Sequence, residues 1–260
     1  SALGELSSEA DCRALARNTA ISLMNEARYA AYDDTGASRY AGERLIAECE
    51  RVSCAVYASV HGSAFRIRDR EEELSLPALR MKGKADRVDT AGDYVRVVDY
   101  KTGHFDASAT AYYTGRSLQL ELYLLAASVG GRPAGAFYFP AEDRFTAPED
   151  AKFRMQGFYN SDVADLLDSV AGAKGGLFDG APSRGLAEAE FKDFLTYGTL
   201  VADRARREMQ AGNVRPSPYE GSCDYCAFRG ACGFTGEPRK EKGVQAAEIA
   251  AVLRGAKEDI

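Results

Sequence analysis

Gly83-Lys-Ala-Asp86-Arg-Val-Asp89 and Tyr94-Val-Arg-Val-Val-Asp99-Tyr-Lys101-Thr-Gly103 are the two runs on which the fold turns. Both have the apolar and polar pattern of strands, and Asp89-Thr-Ala-Gly-Asp93 between them supplies a turn. In an antiparallel hairpin with Gly92 near the turn, Asp86 and Asp99 fall roughly opposite one another. Cross-strand neighbours sit about 5 Å apart. Asp99 and Lys101 share a strand face because side chains alternate. Two carboxylates and an ammonium therefore converge at one end of a sheet. Like charges that close repel unless a cation intervenes or one of them is protonated. Mg²⁺ or Mn²⁺ meets that need, since a hard ion takes oxygen ligands and keeps several waters. Such an ion polarises a phosphoryl oxygen and acidifies a water, and Lys101 is placed to orient that water or stabilise developing charge. Spacing alone equally fits a solvated hairpin whose charges face water.

Outward from the hairpin, residues 8–61 have helical spacing in two blocks. Leu15, Ala16, Ala20, Leu23, Met24, Ala27 and Ala31 mark the first, and Leu45, Ile46, Cys49, Val52, Val56 and Val60 the second. Asp33-Asp34-Thr35-Gly36-Ala37-Ser38 is the break between them. Phe65-Arg-Ile-Arg and Glu73-Leu-Ser-Leu predict two short strands before the hairpin. Leu118 to Val129 predicts a short helix and Ala134 to Pro140 a buried strand. Residues 141–156 are charged and irregular, helices follow at about 161–173 and 187–211, and a last one begins near 243. The order predicts a mixed α/β (α+β) fold, a central mixed β-sheet flanked by helices. It divides into an N-terminal helical part (1–62), a core (63–215), a cysteine-rich segment (216–236) and a helical tail (237–260).

The 260 residues include 33 Lys+Arg and 39 Asp+Glu, a formal net charge of −6, which argues against a protein that coats DNA through excess cations. Hydrophobic residues at 45% and charged residues at 28% exclude disorder, collagen and coiled coil. No apolar run approaches the length of a membrane span. The first residues, Ser-Ala-Leu-Gly-Glu, lack a signal-peptide pattern, and the expected location is the reducing cytoplasm.

Three of the six cysteines, Cys223, Cys226 and Cys232, form a Cys-x₂-Cys-x₅-Cys run with Tyr225 and Phe228 interleaved. That spacing points to a metal or iron–sulfur clamp one ligand short. Cys12, Cys49 and Cys54 are scattered, the last two on a predicted helix as buried apolar residues. Arg204, Arg206, Arg207 and Arg215 sit on or just beyond the 187–211 helix, interspersed with Asp203 and Glu208, and read as a solvated helix face rather than a DNA path.

Gly83-x-x-Asp86-Arg-x-Asp89, Val98-Asp99-Tyr100-Lys101-Thr102-Gly103, Leu118-Gln119-Leu120-x-x-Tyr123, Ala134-Gly-Ala-Phe-Tyr-Phe139 and the terminal cysteine run occur in an order that resembles the RecB-like branch of the PD-(D/E)XK nucleases. The likeness, over about residues 40–236, is to the nuclease domain at the C-terminal end of the AddB subunit of bacterial AddAB helicase–nucleases. It implies a restriction-endonuclease-like core. Asp86 and Asp99 would ligate the catalytic metal, with Glu73 as a further acidic residue, and Lys101 would be the catalytic lysine. Gln119 and Tyr123, one helical turn apart, would line the site. Apart from the resemblance, the Gln119 and Tyr123 spacing also fits an ordinary amphipathic helix, and Glu73 also fits an edge strand guarded by charge. Cys223, Cys226 and Cys232 would hold a [4Fe–4S] cluster in the full-length protein. The family's upstream cysteine and metal-site histidine find no match here, since His61 and His104 sit at other places. The chain is therefore expected to be an excised piece with an incomplete cluster site, its thiols reduced or holding Zn²⁺ with a borrowed ligand. The implied function is an ATP-dependent helicase–nuclease subunit's Mg²⁺-dependent exonuclease domain in DNA repair and recombination. Its substrate would be the single-stranded DNA end produced by unwinding, and its partner an AddA-type subunit. The alternative is a non-catalytic DNA-clamping module stapled by the cysteines.

Overall fold

The computed structural model describes residues 5–141, 153–169, 184–224 and 226–258. The chain opens with helix α1 (Glu9–Met24), capped by the Ser8 hydroxyl, which accepts the Asp11 N–H at 3.1 Å. A 3₁₀ turn (Ala27–Asp33) leads to α2 (Gly36–His61), which starts at a reciprocal Thr35/Ser38 capping box. Cys12, in the first turn of α1, donates to the Ser53 carbonyl at 3.4 Å. It is buried with Cys54, so these thiols pack the two helices together. His61 closes α2 stacked on Tyr57, their ring centroids 3.9 Å apart.

A mixed six-stranded sheet follows, in the order β1 (Arg66–Leu76), β2 (Met81–Ala91), β3 (Tyr94–Lys101), β4 (Arg132–Pro140), β5 (Gln156–Asn160) and β6 (Gly185–Leu186). The β1/β2, β2/β3 and β4/β5 pairs are antiparallel, and the β3/β4 and β5/β6 pairs are parallel. The crossover from β3 to β4 carries α3 (Ala109–Tyr113) and α4 (Gln119–Ala127). Beyond the sheet lie α5 (Ala164–Leu167), α6 (Glu188–Gln210), α7 (Arg229–Cys232) and α8 (Ala246–Glu258).

Alternation along β3 explains the two cores. Val95 and Val97 face α4, α6 and α8, packing with Leu120, Leu124, Phe191, Phe194 and Ile249. Val98 faces the other way and packs with Val56 of α2 and with Phe65, Phe137 and Phe139. Because both faces of this central strand are covered, Val97 and Val98 form part of a nearly continuous apolar run rather than a strict alternation.

Four expectations need correcting. The two short strands at 65–68 and 73–76 are one strand, β1, whose exposed Asp69-Arg-Glu-Glu stretch belongs to an edge strand. The turn is only Gly92–Asp93, with Gly92 at φ 55°; Asp89 lies inside β2, where two arginines neutralise it. The predicted 161–173 helix is a 3₁₀ turn (Ser161–Val163) and the single turn α5. There the Ala64 N–H donates to the Leu166 carbonyl and the Ser169 N–H to the Gly62 carbonyl, binding the segment to residues 62–64. Its residues from 170 on lie outside the described ones. Strand β5 begins within the stretch predicted as irregular, of which residues 142–152 also lie outside the described ones; at five residues it is too short to show a period.

Candidate active site

The turn-distal end of the β2/β3 hairpin carries the predicted carboxylates. Register pairs Arg87 with Val98, and the next residue on each strand is Asp86 and Asp99. On the other side of β2, Arg70 pairs with Arg87 and Glu72 with Ala85, leaving Glu71 and Asp86 between them outside the ladder. Glu71 there takes a left-handed backbone, φ 55°. A non-glycine residue in that region stores about 1–3 kcal/mol of strain, and such irregularities recur beside active sites. Asp86 thus sits where the sheet forks, and its Oδ2 accepts the Tyr100 N–H at 2.8 Å. A cavity of about 620 Å³ opens beside it, lined by Asp69, Arg70, Glu71, Arg87, Tyr100 and Val56.

Asp99 is 3% exposed. Its Oδ2 lies 2.6 Å from Lys101 Nζ, in a part-buried ion pair. Burial pushes the Asp99 carboxyl above the usual carboxylate range against the pull of Lys101, and the nearby Asp86 charge adds to the rise. Burial pulls Lys101 down, but the Asp99 carboxylate outweighs it, so the lysine titrates above its ordinary value. At neutral pH Lys101 is therefore an ammonium, able to donate and unable to act as a base.

From Lys101 the contacts continue onto α4. Its Nζ donates to Gln119 Oε1 at 3.4 Å, and Gln119 Nε2 donates to the Tyr123 hydroxyl at 3.4 Å. Tyr123 lies directly over β2, where a Cβ on Gly83 would overlap its ring. Gly83 leaves room for this close approach of helix and strand. Tyr138 of β4 lies beside Asp99 in the parallel register and presents its ring 5.2 Å from Lys101 Nζ. That cation–π contact steadies the ammonium. Tyr138 did not stand out in the sequence, where it is one aromatic in an apolar strand; its place beside Asp99 follows only from the strand order.

A model of the PD-(D/E)XK nuclease superfamily matches residues 2–233. The chain belongs to that superfamily. Asp99-Tyr100-Lys101 has the form (D/E)XK that the superfamily's name spells. The chain is also similar to proteins named as the B-type subunit of ATP-dependent helicase/deoxyribonucleases. That of Desulforudis audaxviator is 32% identical over 196 residues, 60% of this chain and 17% of the relative. That of Symbiobacterium thermophilum is 29% identical over 204 residues, 62% and 17% respectively. That of Moorella thermoacetica is 30% identical over 195 residues, 59% and 17%. The chain thus matches about 17% of the length of these relatives.

Divalent metals serve this nuclease superfamily generally, and the donors at the hairpin end suit one. Both are carboxylates, and the buried Asp99 Oδ2 faces the Lys101 ammonium at 2.6 Å. Mg²⁺ needs only one or two protein carboxylates because it keeps most of its waters. Among the described residues no three His, Cys, Asp or Glu side chains form a metal-holding group. Glu73 is exposed and pairs across the strands with Lys84, outside any such group.

Cys223 is half-buried and Cys226 and Cys232 are exposed, all as free thiols, and they are not gathered into a metal-holding group among the described residues. A thiolate site is seldom preformed, because its ligands are drawn together by the metal itself. No helix among the described residues is long and apolar enough to cross a membrane.

Proposed function

We propose that the chain is a metal-dependent deoxyribonuclease domain that hydrolyses phosphodiester bonds, with Asp86 and Asp99 holding Mg²⁺ or Mn²⁺. The observation that carries this reading is the buried Asp99, ion-paired to Lys101 at 2.6 Å and level with Asp86 across the hairpin. The chemistry such an ion supplies is polarisation of a phosphoryl oxygen and acidification of a water. Lys101 donates to the negative charge that develops on the phosphate, or orients the attacking water. Gln119 and Tyr138 hold the ammonium in place, and Tyr123 bounds the site over Gly83. The similarity to B-type helicase/deoxyribonuclease subunits supports a setting in double-strand-break repair, with a single-stranded end as substrate and an AddA-type subunit as partner. Exonuclease action and a cytoplasmic location belong to the same proposal.

Digestion of linear single-stranded DNA tests the reading. Activity should require Mg²⁺ or Mn²⁺ and vanish on chelation. Lys101→Ala should slow the reaction by about 10²–10³-fold, the usual cost of losing a donor aimed at developing charge. Digestion by Lys101→Ala at the wild-type rate would remove Lys101 from the chemistry, and no metal-dependent digestion by the folded wild type would favour the non-catalytic clamp. Gly83→Ala is a gentler probe, since the added methyl meets the mobile end of Tyr123 rather than backbone. Its expected outcome is a melting temperature within a few degrees of wild type and a rate lowered about ten- to a hundredfold by displacement of the ring. An unchanged rate would remove Tyr123 from the site.

A further inference from the structure

A second cavity lies away from the carboxylates, between the exposed side of α6, the end of α3, residues 213–219 and Arg239. Its volume is about 570 Å³, within the range of small-molecule sites. Tyr113 and Tyr197 line it, with rings stacked at 5.5 Å and only 6° from parallel, and the Tyr197 hydroxyl donates to the Tyr113 carbonyl at 2.9 Å. Tyr219 also lines the cavity, with the Arg239 guanidinium 3.9 Å above its ring. Arg239 is fixed in that position by donating to the Ser217 carbonyl at 2.7 and 3.1 Å. Exposed Arg204 and Arg215 complete the lining, and Glu208 is the carboxylate among the lining residues.

The geometry points to a binding slot for single-stranded nucleic acid, which stacks an unpaired base on the tyrosines and sets its phosphates on Arg204 and Arg215. Three arginines against one glutamate make this a local positive site on a chain whose net charge is −6. Glu208 pairs with Arg204 at 3.0 Å, an exposed pair weak enough to exchange for a phosphate. Aromatic faces beside guanidinium groups are how sequence-tolerant single-strand sites are built. An unpaired base offers its face to such a slot, whereas in a duplex neighbouring bases cover it. The slot is also near the candidate active site. Thr114 lines it and Gln119 contacts Lys101, and the five residue steps from one to the other span at most about 18 Å.

The proposal rests on the nuclease reading for its ligand, and its test is separate from cleavage. Anisotropy of a labelled 20-nucleotide oligo-dT is measured against the 260-residue chain in EDTA. Arg204→Ala combined with Arg215→Ala should weaken binding tenfold or more. It should also lower the salt dependence of log K by about 1.4, since each phosphate contact on a single strand contributes about 0.7. Tyr197→Leu with Tyr113→Leu should weaken binding by a similar factor and leave the salt dependence in place. A duplex should bind at least tenfold more weakly than the single strand. A folded wild type that binds the oligonucleotide in EDTA but does not cleave it once Mg²⁺ or Mn²⁺ is added would sink the nuclease reading and leave the slot standing. Unchanged affinity in both double variants, equal binding of duplex, or no binding by the folded wild type overturns the slot. So does a result in which the substitutions weaken only association with a protein partner.

Discussion

Asp89→Ala should destabilise the chain by about 3–5 kcal/mol, a large share of the 5–15 kcal/mol that holds a typical domain together. Asp89, Arg87 and Arg96 are each at most 1% exposed. Arg87 Nη2 donates to Asp89 Oδ2 at 2.7 Å, and Arg96 Nη2 donates to the same oxygen at 2.6 Å. Arg87 also donates to the Tyr100 hydroxyl at 3.1 Å, and Arg96 to Ser63 Oγ at 3.4 Å. The network thus ties the hairpin to the segment just after α2. Removing the carboxylate would leave two guanidinium groups buried without it. Burial works to raise the Asp89 pKa, but the two arginines hold it below the usual carboxylate range. A group depressed in this way stabilises the fold above its unfolded pKa, near 3.8, and loses that contribution as pH falls through the folded value. The expected fall in melting temperature is roughly 10 °C for a chain of this size. A fall of less than about 2 °C would show that the network is relaxed or hydrated.

Glu121 is the opposite case. It points into the core from α4 and is 5% exposed, and burial pushes its carboxyl up to about 8 from an ordinary 4.5. Here the folded pKa lies above the unfolded one, so the folded state prefers the protonated acid. No penalty exists below about pH 4.5. Stability then falls as pH rises towards 8, because unfolding releases a proton, and levels off beyond it. A shift of that size corresponds to about 5 kcal/mol of lost stability at alkaline pH. Glu121→Gln removes the titration. Urea unfolding across pH 5 to 9 should show the variant gaining on wild type by about 1.4 kcal/mol per pH unit up to pH 8. A gap that does not change with pH would mean Glu121 is solvated or paired in the folded state.

Much of the site was legible because it is local. Hairpin register and alternation follow from period two, which placed Asp86 at the level of Asp99 and Lys101 on the same face. Gln119 and Tyr123 came from the family resemblance, because helical spacing fits an ordinary amphipathic helix as well, and their contact with Lys101 needed α4 to lie on that face of the sheet. What stayed hidden depends on neighbours distant in sequence. Tyr138 reaches Lys101 only because β4 runs parallel to β3. Asp89, with Thr-Ala-Gly-Asp after it, has the composition of a turn, and only Arg87 and Arg96 make it a buried strand residue. Arg204 and Arg215 have the pattern of a solvated face until Tyr113 and Tyr219 arrive from other parts of the chain.

The central claim is that Asp99 holds a catalytic ion rather than supporting the fold, and Asp99→Asn separates the two. Burial already disfavours the Asp99 charge, so a neutral isostere should keep or raise the melting temperature. The decisive quantity is the variant's rate of Mg²⁺-dependent digestion of linear single-stranded DNA beside that of wild type. If Asp99 holds the ion, the loss is roughly a thousandfold, the several kcal/mol that Lewis-acid stabilisation supplies, with the fold intact. Digestion by folded Asp99→Asn within threefold of the wild-type rate would contradict the claim.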